Sequence, residues 1–475
     1  MNESGGDLTF FWHDYETFGR VPRRDRPAQF AGVRTDADLN EIGAPLDLYC
    51  RPPLDALPEP EACLLTGITP QRCAERGVAE HAFAAAVEAQ LAAPGTVGVG
   101  YNSIRFDDEV TRFLFWRNLI DPYAREWQNG CGRWDLLDVV RAAFALRPEG
   151  IAWPRHDDGK PSFKLEHLSA ANGLAHAAAH DALSDVRATI ALARLVKTKQ
   201  PRLWDFCLRL RRKDAVIAEI GAARPFLHVS GMYAPERGCV AVVWPLAPHP
   251  TNKNELIVWD LGADPAELMA LDAAAIRERM FTRADELPEG VARLPIKTIH
   301  LNKSPIVVGN LKTLSPAMAE RWGVDVAQAL RHAEAAAQAG GALAGLWRAV
   351  FERPAAAQAV DVDEDLYGGF VGNSDRGRLQ RLREMTPEQL AAKRLAFDDA
   401  RLEEIVFRYR ARNFPETLSQ DERERWEQHR AERLHGGAVQ DYFERIDALS
   451  EAADENGQEI LAALYDWAEQ IAPER

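Results

Sequence analysis

The sequence predicts an α/β domain first, then a β-rich segment, and finally a segment that is almost entirely helical. Strand-like apolar runs alternate with helical stretches up to about residue 200. Short β-rich runs separated by Gly, Pro and Asn turns follow Pro201, and helical patterns dominate beyond Pro354. A chain of 475 residues has room for roughly two to four domains, each with its own core.

The composition argues against several classes of protein. A net charge of −15 is unusual for a protein that coats nucleic acid non-specifically, although it leaves room for a local basic groove. No apolar run reaches the ~18 residues that a membrane span needs, and the first residues lack a signal-peptide pattern. The six cysteines form no C-x-x-C pair, which argues against a zinc ribbon or a redox motif. We therefore expect a cytoplasmic protein without a membrane segment.

The α/β domain is predicted from alternating patterns. Its strand-like runs are residues 10–16, 28–35, 47–50 and 96–102. Its helical stretches are residues 80–92, 106–114, 165–173 and 181–195. The first three runs are typical of an antiparallel meander, and the apolar run 96–102, with its two glycines, is typical of a buried strand.

The β-rich segment is predicted to open with one amphipathic helix, from Leu203 to Ile220. Its strand-like runs are residues 228–232, 239–244, 256–261 and 296–301. Such short strands predict a small barrel or curled sheet. A helical insertion at 264–281 interrupts it, and an alanine-rich helix at 327–349 closes it.

The last segment contains two predicted helix starts. Thr386-Pro387-Glu388-Gln389 combines an N-cap residue, proline at the first helical position and glutamine at the third. The stretch from Ser419 to Glu422 repeats the capping-box pattern. We therefore expect helices to begin at both places.

The stretch from Phe10 to Gly19 carries two carboxylates one residue apart. Side chains in a strand alternate between its faces, so Asp14 and Glu16 are expected to point the same way. Two such acids repel each other unless a cation, a proton or solvent neutralises them. Taken alone, a pair of acids with this spacing more often belongs to an edge strand, with both side chains facing water.

Other acids follow at later positions. Asp107 comes directly after the buried strand and opens a helix, where an acid is more often a cap for the helix dipole. His180 precedes Asp185 by five residues at the start of the last helix of this domain. Each of these patterns is weak alone, but together they form an ordered set of four acids and a histidine.

This ordered set resembles the DEDDh group of 3′→5′ exonucleases. Further segments are similar to the bacterial exodeoxyribonuclease I family, so the resemblance covers essentially the whole chain. These segments are His13–Gly19, Asp25–Phe30, Leu65–Pro70, Phe106–Val110, Arg133–Asp138, His228–Met232 and Tyr409–Pro415. The resemblance implies a ribonuclease H-like exonuclease domain at 8–197, an SH3-like domain at 201–354 and a helical C-terminal domain at 358–475.

The resemblance also implies a chemistry. Two Mg²⁺ ions, or Mn²⁺ in their place, suit oxygen ligands and would be held by the acids. These are Asp14, Glu16, Asp107 and Asp185, with Glu16 expected to bridge the ions and Asp107 to act partly through water. His180 would take the proton from the attacking water. The expected reaction is processive removal of 5′-mononucleotides from the 3′ end of single-stranded DNA, in repair and recombination.

Substrate and partner contacts come from the same resemblance. Besides Glu16, the residues expected to contact DNA are Lys164, Arg112, Thr66, Tyr123, Trp127, Arg141, Asn254, Lys297, Asn302, Tyr367 and Phe370. Lys164 stands where relatives can carry arginine, and lysine lacks arginine's planar fork. The family implies a further partner, the acidic, phenylalanine-ending tail of single-stranded DNA-binding protein. We expect a monomer, with the site for this tail around Arg147, Arg202 and Phe206.

Two alternatives stay open on the sequence. An exonuclease that trims RNA would use the same acids, because the acids do not distinguish the sugar. A non-catalytic scaffold that binds single strands would keep the fold without the chemistry, although the complete set of acids disfavours it.

Overall fold

The computed structural model describes residues 8–175, 181–343, 345–352, 360–393 and 396–473. The chain forms two compact units. The first comprises Met1–Gly132, His176–Arg187 and Gln358–Arg475, and the second comprises Arg133–Ala175 and Ala188–Ala357. This division differs from the three predicted domains, whose boundaries stay a prediction.

The strands and helices alternate first and then separate into β-rich and helical parts. The strands are β1 (Thr9–Thr17), β2 (Pro27–Thr35), β3 (Leu46–Tyr49), β4 (Thr96–Gly100), β5 (Gly132–Asp135), β6 (Phe226–Val229), β7 (Val240–Pro248), β8 (Glu255–Asp260), β9 (Ile296–His300) and β10 (Ile306–Val308). The helices up to residue 220 are α1 (Pro60–Thr66), α2 (Pro70–Arg76), α3 (Glu80–Leu91), α4 (Asp107–Arg117), α5 (Leu136–Leu146), α6 (Leu165–Ala171), α7 (Ala182–Lys199), α8 (Pro201–Arg209) and α9 (Lys213–Ile220). Those that follow are α10 (Ala273–Phe281), α11 (Pro316–Trp322), α12 (Val326–Leu343), α13 (Trp347–Val350), α14 (Asn373–Arg383), α15 (Pro387–Ala392), α16 (Arg401–Asn413), α17 (Gln420–Arg433), α18 (Gly436–Ser450) and α19 (Glu455–Ile471). Within the described segments, no helix is both long enough and apolar enough to cross a bilayer.

In the first unit, the strands lie side by side in the order β3-β2-β1-β4. β1 is antiparallel to β2, which is antiparallel to β3, as the predicted meander requires. β1 is parallel to β4, so the carboxyl ends of these two strands lie at the same edge of the sheet. Open α/β sheets place their functional sites at this edge.

Aromatic side chains bury β1 on both faces. Phe11 and Tyr15 belong to a cluster with Phe30 of β2 and Phe83 of α3, all of them at most 4% exposed. On the other face, Trp12 is fully buried and its indole N–H donates to Thr35 Oγ1 at 2.9 Å. A strand packed on both faces has little freedom to shift, so it holds fixed whatever side chains stand at its end.

In the second unit, five strands form an antiparallel sheet in the order β10-β6-β7-β8-β9. The predicted β-rich segment is confirmed here. The single predicted helix from Leu203 to Ile220 is wrong, because the structure has α8 and α9 with a break at residues 210–212. Leu210 and Val216 both belong to the core beneath this sheet. On one straight helix, side chains six residues apart point in directions roughly 120° apart around the axis, so both could not face the core. The break between α8 and α9 allows both to do so.

The helical C-terminal part confirms both predicted helix starts. The side chains of Thr386 and Ser419 each accept a hydrogen bond from the backbone N–H of the third helical residue, and their own backbone N–H groups donate to that residue's side-chain oxygen. Each capping box satisfies two backbone donors that the first turn would otherwise leave without partners.

A buried ionic cluster joins this helical part to the α/β part of the first unit. Arg412 of α16 donates to Asp55 at 2.7 Å and to both oxygens of Asp363. Arg26 contacts Asp363 at 3.3 Å from the N-terminal part of the chain. The arginines hold the pKa of both carboxyls well below its ordinary value, although burial alone would raise it.

Removing one partner of this cluster should be costly. We expect Asp55→Asn to lower the free energy of unfolding of the first unit by about 3 kcal/mol, since it removes one of the two carboxylates that balance the buried Arg412 guanidinium. Because the carboxyl pKa is depressed in the folded protein, this stabilisation is present near neutral pH and is lost as the pH falls below ~4. Urea denaturation at neutral pH and again at low pH measures both effects.

The matched control is Glu427→Gln, which breaks the pair between the exposed Glu427 and Arg430. It should cost at most ~0.5 kcal/mol. Equal costs for the two substitutions would contradict a stabilising role of the buried cluster.

Candidate active site

The end of β1 carries two of the expected catalytic acids on one face. Asp14 and Glu16 lie two positions apart on the strand, so their side chains project the same way. Pairing with β4 stops at Trp12, and the register with β2 shifts between Glu16 and Thr17. The two acids therefore stand where β1 leaves its parallel neighbour, at the carboxyl edge of the sheet.

Asp185 completes a group of three carboxylates. It lies in the first turn of α7, and one oxygen from each of Asp14, Glu16 and Asp185 lies within 4.8 Å of the others. Glu16 is buried, whereas Asp14 and Asp185 are half-buried. Carboxylate oxygens at this spacing are what a hard divalent cation takes as ligands.

Asp107 lies beside this group and is buried at the start of α4. Its Oδ1 accepts a hydrogen bond from the backbone N–H of Tyr15 at 3.1 Å. Thr111, one turn later, donates to the carbonyl of Asp107 at 2.8 Å and contacts the Tyr15 hydroxyl at 3.1 Å. The helix start is thus attached to β1, which places this acid next to the other three.

The acids raise one another's pKa. Burial, then the charges of Asp107, Glu16 and Asp185, raises the pKa of the Asp14 carboxyl well above its ordinary value. Burial, then Asp185 and Asp107, raises the pKa of Glu16 to about 8. Without a counter-charge the group cannot be fully ionised at neutral pH, and a bound divalent cation would supply that charge.

A buried polar pair that the sequence analysis did not single out includes Asp108, the residue that follows Asp107 in α4. Arg125 donates to Asp108 at 2.6 Å, and both side chains are at most 2% exposed. His13 lies nearby on β1, where burial followed by the charge of Arg125 lowers its pKa to about 4, so it is neutral at physiological pH. The only signal in the sequence was the second aspartate of Asp107-Asp108, which also fits a helix cap.

His180, the expected proton acceptor, lies outside the described residues. Its neighbour Asp181 is described, and Asp181 Oδ2 accepts from the backbone N–H of Ser184 at 3.0 Å. This contact caps the start of α7, on which Asp185 is positioned.

The expected DNA contacts of the first unit differ in accessibility. Trp127, Tyr367 and Phe370 are 66%, 56% and 96% exposed. Tyr123 is half-buried, and Thr66 accepts a hydrogen bond from the N–H of Ile68 at the end of α1. Arg112 is 6% exposed and is paired with Glu109 and Glu126.

The expected DNA contacts of the second unit have polar or aromatic partners. Lys164 is exposed and pairs with Glu166 at 3.3 Å, and Arg141 pairs with Asp138 at 2.7 Å. Asn254 accepts from Lys213 at 2.6 Å, and the carbonyl of Asn302 accepts from Arg133 at 3.3 Å.

Lys297 is held by an aromatic ring. Its ammonium lies 3.9 Å from the centre of the Tyr233 ring and donates to the carbonyl of Met232. Burial lowers its pKa to about 8, so a substantial part of it is neutral just above physiological pH.

The three residues expected to contact a partner tail share one cleft in the second unit. Arg147, Arg202 and Phe206 line a cavity of about 390 Å³ together with apolar side chains such as Leu146 and Val308. Arg147 is oriented by donating to the carbonyl of Thr313 at 2.9 Å. Basic groups beside an apolar cavity therefore occur where the sequence analysis expected them.

The sheet and its acids define the class of the protein. Residues 11–193 match the family model described as Exonuclease. In this class the chemistry depends on metal ions held by carboxylates, and the group formed by Asp14, Glu16 and Asp185 meets that requirement.

The rest of the chain makes the assignment more specific. Residues 211–353 match the Exonuclease I SH3-like domain, and residues 360–471 match the Exonuclease I C-terminal domain. Exodeoxyribonuclease I of Escherichia coli is 44% identical over 475 residues, covering 99% of this chain and 100% of the relative.

Solved structures agree over almost the full length. Exonuclease I from Methylocaldum szegediense is 49% identical with a TM-score of 0.93, covering 98% of this chain and 100% of the other. Exonuclease I of E. coli in complex with a dA16 oligonucleotide is 44% identical with a TM-score of 0.94 and the same coverage. This chain belongs to the exodeoxyribonuclease I family. The predicted succession of ribonuclease H-like, SH3-like and helical parts is confirmed.

The acidic group predicts an unusual pH dependence of stability in the metal-free protein. The pKa of Glu16 in the folded chain, about 8, exceeds its ordinary value of 4.5. The folded state therefore retains a proton that the unfolded chain has lost, so stability falls as the pH rises through this interval. Glu16→Gln cannot ionise and should have a thermal midpoint a few degrees above wild type at about pH 9, with little difference at about pH 5.

Calorimetry in EDTA at the two pH values tests this, with the exposed Glu459→Gln of α19 as a matched control. A Glu16→Gln midpoint that follows the wild type across the whole range would contradict the raised pKa of Glu16 in the folded chain.

Proposed function

We propose that this protein is a 3′→5′ exonuclease that degrades single-stranded DNA to 5′-mononucleotides. The observation that carries the proposal is the carboxylate group of Asp14, Glu16 and Asp185, in a chain that matches the family over all three parts. A relative of the same architecture is known in complex with a single-stranded oligonucleotide. We further propose processive action in DNA repair and recombination, by a monomer in the cytoplasm.

Two Mg²⁺ ions are the proposed cofactors, with Mn²⁺ as a substitute. Asp14, Glu16 and Asp185 would hold them, and Asp107 would contribute beside them. Their donor set is entirely oxygen, which suits these cations, and a zinc-bound form of the E. coli relative is known. When bound, the ions would activate the attacking water and stabilise charge on the phosphate. His180 is proposed as the group that accepts the proton of the attacking water.

The chain's own residues supply the positioning. Buried β1 fixes Asp14 and Glu16, the Tyr15 N–H orients Asp107, and the capped start of α7 places Asp185. Bringing acids from three elements to one point allows a phosphodiester to be held in one orientation while water attacks. The acids do not distinguish deoxyribose from ribose. The preference for DNA over RNA is therefore proposed from the family match.

Aromatic and cationic side chains are proposed to hold the strand. Exposed Trp127 and Phe370 suit stacking against bases, and exposed Lys164 suits a phosphate contact. The other proposed contacts are Thr66, Arg112, Tyr123, Arg141, Asn254, Lys297, Asn302 and Tyr367.

The proposed protein partner is the acidic C-terminal tail of single-stranded DNA-binding protein. A solved structure 44% identical to this chain is described as SSB/Exonuclease I in complex with the inhibitor CFAM. In this chain, Arg147 and Arg202 would pair with the acidic groups of the tail, and the apolar part of the 390 Å³ cleft would take its aromatic end.

Removing a single acid should abolish turnover but not the fold. We expect Asp14→Ala and Asp185→Asn each to slow the shortening of a 5′-labelled single-stranded DNA by at least about 10²-fold. The reason is that each substitution removes one of the carboxylates proposed to hold the metal ions. Circular dichroism should be unchanged. Asp447→Asn, an exposed residue of α18, is the control and should degrade DNA like the wild type.

The same assay run on a matched RNA oligomer and with EDTA separates the alternatives. Faster shortening of the RNA than of the DNA would show that RNA is the preferred substrate. Undiminished turnover in either acid variant would overturn the proposed site.

A further inference from the structure

The face of the sheet that carries the acids continues from β1 across β2 to β3. Glu16 lies opposite Gln29 in the antiparallel pairing, and Gln29 lies opposite Tyr49. Residues directly opposite each other on neighbouring strands project their side chains on the same face. Because neighbouring strands are about 4.8 Å apart, the backbone of Tyr49 lies roughly 10 Å from that of Glu16. Tyr49 therefore stands on the catalytic face, two strands away from the acids.

Hydrogen bonds fix the side chains of this face between β1 and β3. Gln29 is 1% exposed, and its amide N–H donates to Asp47 Oδ1 at 2.8 Å. Asp47 belongs to the neighbouring row, in which Asp14, Ala31 and Asp47 lie opposite one another. The polar surface beside the acids thus extends to β3, which is the edge strand of the sheet.

Arg72 of α2 lies over the ring of Tyr49 on this face. Its Cζ is 5.0 Å from the ring centre, and its Nη2 donates to the Tyr49 hydroxyl at 2.7 Å. Two contacts to one ring hold the guanidinium in place, while the side chain as a whole stays exposed. No carboxylate pairs with it in the part of the chain that the structure describes. A planar cation held in this way is available to stack against another flat group.

The helix that carries Arg72 is itself attached to the sheet. The thiol of Cys73 contacts the carbonyl of Ala28 in β2 at 3.5 Å. The side chain of Thr69 caps the start of α2 by accepting from the backbone N–H of Arg72. The guanidinium is therefore positioned relative to the acids by a short, fixed path, an arrangement that reduces the entropy lost on binding.

The start of α7 lies close to the same ring. Burial raises the pKa of the Tyr49 hydroxyl, and although the charge of Arg72 opposes this, the charges of Asp47 and Asp181 raise it further. Asp181 stands four residues before Asp185 and caps the helix that carries it. The pair formed by Arg72 and Tyr49 thus borders the helix start that supplies one of the acids.

The expected path of the DNA places this pair beyond the cleaved bond. Trp127, one of the rings proposed to stack on bases, lies two residues before Asn129, whose carbonyl accepts from the N–H of Gly95 at the start of β4. The order β3-β2-β1-β4 puts β4 on one side of the acids and the pair of Arg72 and Tyr49 on the other. A strand held on the β4 side passes the acids of β1, so its 3′-terminal nucleotide projects toward β2 and β3.

We infer that Arg72, held by Tyr49, stacks against the base of the 3′-terminal nucleotide and retains the 5′-mononucleotide until it is released. This inference rests on the proposed function and adds to it a contact for the departing nucleotide. Guanidinium planes and aromatic rings stack on any base, because every base has a π-face. Such a contact suits an exonuclease that removes successive nucleotides of differing sequence.

A substrate whose terminal nucleotide lacks its base tests the stacking contact. Two 5′-labelled single-stranded oligomers of equal length end at the 3′ side in either thymidine or a stable abasic analogue. We expect the wild type to release the terminal nucleotide with about 10-fold higher kcat/KM when the base is present, a difference typical of one stacked base. Arg72→Gln should lose most of this preference. A preference that is unchanged in the variant would overturn the inference.

The matched control is Arg76→Gln. Arg76 is exposed on the same helix, one turn after Arg72. Its substitution removes an equal charge and leaves the contact between Arg72 and Tyr49 intact, so the preference for a terminal base should equal that of the wild type. Equal losses in the two variants would show a general effect of charge and would contradict stacking.

Arg72→Lys separates stacking from attraction to a phosphate. Lysine keeps the positive charge but lacks the planar group. If Arg72 stacks on the base, the lysine variant should resemble Arg72→Gln in its loss of preference. Full recovery of the wild-type preference by lysine would show that charge alone is sufficient, and the stacking role would be wrong.

Inhibition by thymidine 5′-monophosphate tests retention of the product. We expect its inhibition constant to rise about 10-fold in Arg72→Gln and to stay unchanged in Arg76→Gln. Tyr49→Phe removes only the hydroxyl to which Arg72 donates, so its effect on the inhibition constant should be non-additive with that of Arg72→Gln. Additive effects would contradict the joint role of the two side chains.

Failure of this inference can be distinguished from failure of the proposed function. If the wild type degrades single-stranded DNA but releases the abasic and the normal terminal nucleotide equally well, the stacking contact is wrong and the exonuclease assignment stands. If the wild type does not degrade single-stranded DNA, the proposed function itself is wrong.

Discussion

The repulsion among four carboxylates at one edge of a sheet is the constraint on which this structure depends. Burial and mutual charge raise the pKa of Asp14 and Glu16, so the acids would separate if the backbone allowed it. Aromatic side chains pack β1 on both faces and prevent that movement. The stability of the domain thus maintains a site that is unfavourable without a cation, as is common where binding requires preorganised charge.

Helix α4 links this site to its surroundings in the first unit. Its first residue, Asp107, accepts from the N–H of Tyr15, and Asp108 pairs with Arg125 in the interior. Further along, Arg112 contacts Tyr367 of the C-terminal part of the chain. The short 3₁₀ helix Ala124–Glu126 supplies partners to α4 at two positions, since Arg125 pairs with Asp108 and Glu126 pairs with Arg112.

Buried charge is used twice in the first unit with opposite effects. Around Arg412 the charges of Asp55 and Asp363 are balanced, and their pKa is depressed. At the end of β1 the charges are all of one sign, and the pKa is raised. A balanced cluster stabilises the attachment of the helical part, whereas an unbalanced cluster creates affinity for a cation.

The sequence by itself determined the order of the parts, the capping boxes at Thr386 and Ser419, and the facing of Asp14 and Glu16. These follow from local periodicity and spacing, which act within a few residues. Only the tertiary structure decided that α8 and α9 are separate, because the core that receives both Leu210 and Val216 is formed by distant strands. It also decided the surroundings of Arg112, since Glu126 and Tyr367 lie 14 and 255 residues away along the chain. A spacing pattern reports which residue types are present, but whether a guanidinium is free for a phosphate depends on what the folded chain packs against it.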